Sequence, residues 1–308
     1  MLSEKEFLAL PKDELLKIIA EFGRPNLGVF VPDGSRRLVL AYTDFEPESD
    51  DFYKASATIP ARFVLESLKV FFDYRLPVLL VPILGRSILK RGSKYRAITL
   101  LEGLRILFHE KETLDLYHQY QIQVRIYGQP DVLKGTECEP ALEWIEEACR
   151  QTAGYSQHKL LYGIGEPPLM GEHAAQLAAN FVLKHGRIPT TRELICANYG
   201  EDLPSADFFI MTSKMSGMVA LPNWLVNGDT EVYFLPTVMG LTEKNYRVIL
   251  CDMLYNRSGL RSGIEEFDTT ANTRKKLRQV YEKSVEKVIG VGFEVGKVWT
   301  MAGKNGAK

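Results

Sequence analysis

The stretch 28-GVFVPDGSRRLVLAY-42 sets a short apolar run, Val29 to Val31, against Pro32 and then an acid, a glycine, a hydroxyl and two arginines. In open α/β sheets, ligands bind beyond the carboxyl ends of the strands, and Asp33 to Arg37 stand at such an end. Gly34 allows a tight turn and close approach by a ligand. Backbone N–H groups there, with the Ser35 hydroxyl, suit an oxyanion. Arg36 and Arg37 offer bidentate contacts to phosphate. Asp33 repels a bare phosphate, so it fits only if Mg²⁺ bridges carboxylate and phosphate or if it handles a proton. The same residues also read as a surface turn in which Asp33 starts a helix and pairs with an arginine.

Outward from this stretch, strand and helix patterns alternate. Five further apolar runs read as strands: 77-PVLLVPIL-84, 122-IQVRIYG-128, 158-HKLLYGIG-165, 206-ADFFIM-211 and 230-TEVYFLP-236. Amphipathic spacing predicts helices over 3–20, 56–74, 94–118, 139–151, 172–185, 190–198 and 242–257, and a basic helix and tail over 271–308. The expected fold is α/β: one domain over 1–308 with about six mostly parallel strands flanked by helices. No linker or repeat divides it.

The chain has 308 residues, 45% hydrophobic and 25% charged, with a formal net charge of -1. That balance gives no global field for nucleic acid or an acidic membrane. No apolar run is long enough to span a bilayer, and the N-terminus lacks a signal-peptide core. Cys138, Cys149, Cys196 and Cys251 are far apart, so a disulfide scaffold is not expected and a reducing cytoplasm is. The five histidines have no ligand spacing and read as surface or satisfied residues. The basic tail reads as a solvated face, with docking on a membrane or partner as the alternative.

PDGSRRL resembles the diphosphate-binding loop of the cis-prenyltransferase superfamily, with Ser35 and Leu38 where that superfamily carries Asn and often Trp. LGRSILKRG resembles its second diphosphate stretch and places Arg91 on a diphosphate-binding arginine. Met211-Thr212-Ser213 lies where the superfamily binds isopentenyl diphosphate, and Met211 stands in place of an arginine. The resemblance is fuller to the tuberculosinol synthase and kolavelool synthase type of diterpene synthase, an offshoot of that superfamily. SEKEFLALP, PDGSRR, DDFYKA, KRGSKY, PTTRELICANYGEDLPSADFFI and YRVILCDMLYNR carry it in order along most of the chain.

That resemblance implies ionisation of a bicyclic C20 allylic diphosphate of halimadienyl or kolavenyl type, supplied by a separate class II cyclase. Water then captures the cation to give a diterpene alcohol. Gly34, Ser35, Arg36, Arg37 and Arg91 hold the diphosphate, and Asp33 carries Mg²⁺ or moves a proton. Tyr53 of DDFY matches the family's important tyrosine, with Phe52 as the alternative match. Pre-set donors stabilise the leaving diphosphate. An aromatic face over the cation contributes about 0.5–2 kcal/mol. Phe45, Phe52, Phe63, Met215, Met218 and Trp224 are the expected terpenoid pocket. The family also implies a homodimer. Alternatives are transfer to a nucleoside such as adenosine, true chain elongation by a cis-prenyltransferase, and a non-catalytic isoprenoid-binding subunit.

Overall fold

The computed structural model describes residues 2–33, 35–166, 170–212, 223–237, 239, 241–257, 270–284, 292–295 and 298–300. The chain forms two compact units, Gly23–Thr242 and the combination of Met1–Phe22 with Glu243–Lys308.

In the smaller unit the helix expected over 3–20 is two helices, α1 (Glu4–Ala9) and α2 (Lys12–Phe22). Ser3 and Glu6 form a reciprocal capping box at the first. Pro11 lacks the N–H that would continue α1, and its carbonyl instead receives Glu14 and Leu15 at the start of α2.

The larger unit is built on β1 (Leu27–Val31), β2 (Val78–Gly85), β3 (Ile122–Gly128), β4 (His158–Glu166), β5 (Phe208–Thr212) and β6 (Glu231–Leu235). All six fall on runs read as strands from the sequence. Their order is β3-β4-β2-β1-β5-β6, and every pairing is parallel. Leu27, Val29 and Phe30 of β1, Leu79 to Val81 of β2 and Phe208 to Ile210 of β5 are buried. Their unbroken apolar character follows from cover on both faces of the sheet. Gly28 lets β1 pass close to its neighbour, because a Cβ there would stand 2.2 Å from a ring carbon of Phe208.

Parallel pairing requires crossovers, and helices supply them. α3 (Ser35–Tyr42) and α4 (Asp50–Asp73) join β1 to β2. After β2 come the single turns α5 (Arg86–Leu89) and α6 (Ser93–Tyr95), a π-helical turn at Arg96–Leu100, and α7 (Leu101–Phe108) and α8 (Lys111–Gln119). The long helix expected over 94–118 is thus divided. α9 (Ala141–Thr152) leads to β4, and α10 (Met170–His185) and α11 (Thr191–Tyr199) lead to β5. In the smaller unit α12 (Glu243–Cys251) continues into a π turn, and α13 (Ala271–Ser284) is followed by the antiparallel pair β7 (Phe293–Val295) and β8 (Val298–Thr300). The sequence reading did not include that pair.

Candidate active site

β1 ends at Val31, and Pro32 and Asp33 carry the chain over the sheet edge into α3. Thr212, the last residue of the neighbouring β5, holds this corner. Its buried hydroxyl accepts the Asp33 N–H at 2.7 Å and donates to the Asp33 carbonyl at 2.9 Å. The Asp33 side chain is exposed beyond that clasp. Arg36 and the half-buried Arg37 follow in the first turn of α3, where backbone N–H groups and the helix dipole favour anions.

A second arm reaches the same place from β2. Arg91 lies past α5, and its guanidinium carbon sits 4.6 Å from the centre of the Tyr95 ring. Arg96 fixes the turn that carries it. One Nη1 donates to the Leu89 carbonyl at 3.1 Å and to the Arg91 carbonyl. Nε and Nη2 form a fork with the Glu137 carboxylate at 2.6 and 3.1 Å. That fork holds Glu137 below the usual carboxylate range and raises the Arg96 guanidinium.

The start of α4 is the third arm. Ser49 caps it by accepting the Phe52 N–H. Lys94 pairs with Asp50 at 2.8 Å, which lowers the Asp50 carboxyl and raises the Lys94 ammonium, and also stands 5.3 Å from the Tyr53 ring centre. Tyr53 meets Tyr95 edge to face at 6.0 Å, and its carbonyl accepts the Thr99 hydroxyl at 2.9 Å.

These arms surround a pocket of about 840 Å³, counting the space open to solvent. Asp33, Arg91, Ser56, Tyr95 and Thr99 are its polar or amphipathic lining, and Ala57, Pro60, Ala61, Val64, Leu84, Leu104 and Leu107 are among its apolar walls. An anionic head near Arg91 with an apolar body along α4 and α7 suits this composition.

Of the residues expected from the sequence, Asp33 and Arg91 come together on this pocket. Tyr53 packs on two of its lining residues. Phe52 is buried beside Val39 and Ala55, where α4 packs on α3. Phe45 is exposed, Phe63 is half-buried on α4, and Trp224 packs on His173 with ring centres 6.2 Å apart. Among the described residues none of these four lines the pocket, and Tyr95 is the one aromatic that does. Gly34, Met215 and Met218 lie outside the described residues, as does the Ser35 side chain. Met211 is buried in the apolar cluster around β1 and β5. Thr212, Arg96, Tyr95 and Ser56 were not singled out from the sequence. Thr212 had one signal, a hydroxyl closing an otherwise apolar strand.

The fold is that of the cis-prenyltransferases. Lavandulyl diphosphate synthase from Lavandula x intermedia, solved with dimethylallyl diphosphate, superposes with a TM-score of 0.60 at 16% identity, over 75% of this chain and 94% of that one. A probable undecaprenyl diphosphate synthase from Campylobacter jejuni gives 0.56 at 13% identity, over 75% and 96%. In sequence the chain is similar to tuberculosinyl adenosine transferase of Mycobacterium tuberculosis, 29% identical over 98% of this chain and 99% of that protein. No protein-family model matches the chain. The resemblance is therefore to the cis-prenyltransferases in fold and to tuberculosinyl adenosine transferase in sequence.

Proposed function

We propose that the chain is a diterpene synthase that ionises a bicyclic C20 allylic diphosphate, of halimadienyl or kolavenyl type, and captures the cation with water. The observation that carries this reading is the pocket itself, with Asp33 and Arg91 on one continuous lining with the aliphatic faces of α4 and α7. Gly34, Ser35, Arg36, Arg37 and Arg91 bind the diphosphate, and charge gathering on it as the C–O bond breaks is met by donors already in place. Tyr53 helps to orient the water.

Asp33 is the one carboxylate on the pocket lining, and no cluster of three or more His, Cys, Asp or Glu occurs among the described residues. That donor set fits Mg²⁺, which is ordinarily held by one or two carboxylates together with waters and substrate phosphates. Bound there, Mg²⁺ supplies charge neutralisation for the leaving group. The burial of Met211, where the superfamily carries an arginine for its second diphosphate, weighs against chain elongation. The resemblance further suggests a homodimer with its substrate supplied by a class II cyclase, the spaced cysteines suit the cytoplasm, and residues 1–308 act as one functional domain.

A second reading is transfer of the diterpenyl group to adenosine. It is favoured by the name of the mycobacterial relative. One experiment tests both: diphosphate release and product analysis with linear C15 and C20 and bicyclic C20 diphosphates, with and without Mg²⁺ and adenosine. A diterpene alcohol supports water capture, and a diterpenyl nucleoside supports transfer. Asp33→Ala and Arg91→Ala should abolish release while leaving the fold intact; full activity in either refutes the site.

A further inference from the structure

Helix α4 interrupts its own hydrogen-bond ladder on the pocket wall. Pro60 has no N–H, so the Ser56 carbonyl one turn earlier receives no bond from residue 60. Both residues line the pocket. At the same point Ser56 is only 4% exposed, and its hydroxyl is buried without a hydrogen-bond partner. Hydroxyls within a helix commonly turn back to the carbonyl four residues earlier. Two others in α4 do so: Thr58 donates to the Lys54 carbonyl at 3.1 Å, and Ser67 to the Phe63 carbonyl at 2.7 Å. Ser56 does not. An unpaired hydroxyl and a carbonyl released from the ladder thus share one residue, beside the aliphatic Ala57, Ala61 and Val64. Buried polar groups of this kind are ordinarily satisfied by ordered water, which needs at least two polar partners.

We propose that Ser56 is the water-binding residue of this pocket and presents the water that captures the cation. The capture step rests on the function proposed above. The hydroxyl donates to the water and the carbonyl accepts from it, which leaves a lone pair directed at the ligand. The allylic C–O bond breaks with its electron pair leaving on the diphosphate. The water lone pair then forms the new C–O bond at the tertiary end of the allyl cation. The oxonium proton passes to the departed diphosphate, so the products are the alcohol and the protonated diphosphate.

Two measurements test this. In a crystal structure of the protein, a water should lie within hydrogen-bond reach of both Ser56 oxygens; a dry site, or a Ser56 hydroxyl bonded to the Phe52 carbonyl, overturns the proposal. With a bicyclic C20 diphosphate in H₂¹⁸O, Ser56→Ala should raise the ratio of olefin to labelled alcohol by about tenfold, the upper range for one lost hydrogen bond. Pro60→Ala, which restores a donor to the Ser56 carbonyl, should shift the ratio the same way, and Ser56→Thr should keep it near wild type. An unchanged ratio in Ser56→Ala, or a diterpenyl nucleoside in place of the alcohol, overturns the proposal. If no C20 diphosphate releases diphosphate, the function and its capture step both fail, while a water on both Ser56 oxygens still upholds Ser56 as the water site.

Discussion

Replacing Thr212 with valine keeps the shape of the side chain and removes its hydroxyl. Two hydrogen bonds to the Asp33 backbone disappear with it, one at 2.7 Å and one at 2.9 Å. At about 0.5–1.5 kcal/mol each, the loss is about 1–3 kcal/mol. The hydroxyl is buried in the corner between β5 and the Asp33 turn, so water does not readily replace it. Expressed as stability, that loss lowers the melting temperature by several degrees. Expressed in the placement of Asp33, it lowers kcat/KM by about five- to 150-fold, since each 1.4 kcal/mol is about tenfold. The assay is diphosphate release alongside thermal melting for Thr212→Val and Thr212→Ser. The serine variant retains the hydroxyl and should recover most of both quantities. A valine variant within about twofold of wild type in kcat/KM and unchanged in melting would show that the clasp does not position the site.

Glu137→Gln removes the charge partner of Arg96 from a partly exposed pair, so stability should change little. The turn carrying Arg91 should nevertheless loosen, and the Kd for inorganic diphosphate should rise more than the melting temperature falls. Gly28→Ala should be poorly soluble or strongly destabilised on expression, because its methyl meets the buried Phe208 ring at 2.2 Å. Burial holds the His158 imidazole below its ordinary value of 6.5, although its Nδ1 contact with the Leu76 carbonyl opposes the shift. The folded state therefore resists a proton that the unfolded chain accepts, so this contribution is complete above pH 6.5 and is lost as pH falls below it. Urea midpoints should drop between about pH 7 and 5, and His158→Gln should flatten that slope.

The six strands were legible because each is an apolar run closed by Pro, Gly or polar residues, and burial on both faces leaves that local signature. Helix boundaries were less so. Pro11 was a visible reason to divide 3–20, but the π turn at Arg96–Leu100 coincides with bonds from Arg96 to Leu89, Arg91 and Glu137, contacts that no periodicity announces. The same limit separates the parts of the site. Asp33 and Arg91 were recognisable because charged residues at strand ends carry a local pattern. Thr212 acts on a residue 179 positions away, and nothing local marks that pairing. The pocket lining differs for another reason. Helical spacing says which residues share a face, not which face meets a cavity, and Phe52 and Ser56 on α4 took opposite assignments.

The smaller unit has a consequence for the order of events at the ribosome. Its two parts come from opposite ends of the chain, with all of Gly23–Thr242 made between them. Phe7 of α1 packs edge to face on Tyr255 at 5.4 Å, and Arg247 of α12 donates to the Leu8 and Leu10 carbonyls at 3.3 and 2.7 Å. At about 5–20 residues per second, α1 waits about 12–50 s for those partners to be synthesised. This helix is therefore made long before the partners it packs on, and Phe7 lacks Tyr255 through the synthesis of the entire parallel sheet. A nascent chain stalled before residue 243 would carry that phenylalanine, still without Tyr255, to whatever chaperone waits at the exit.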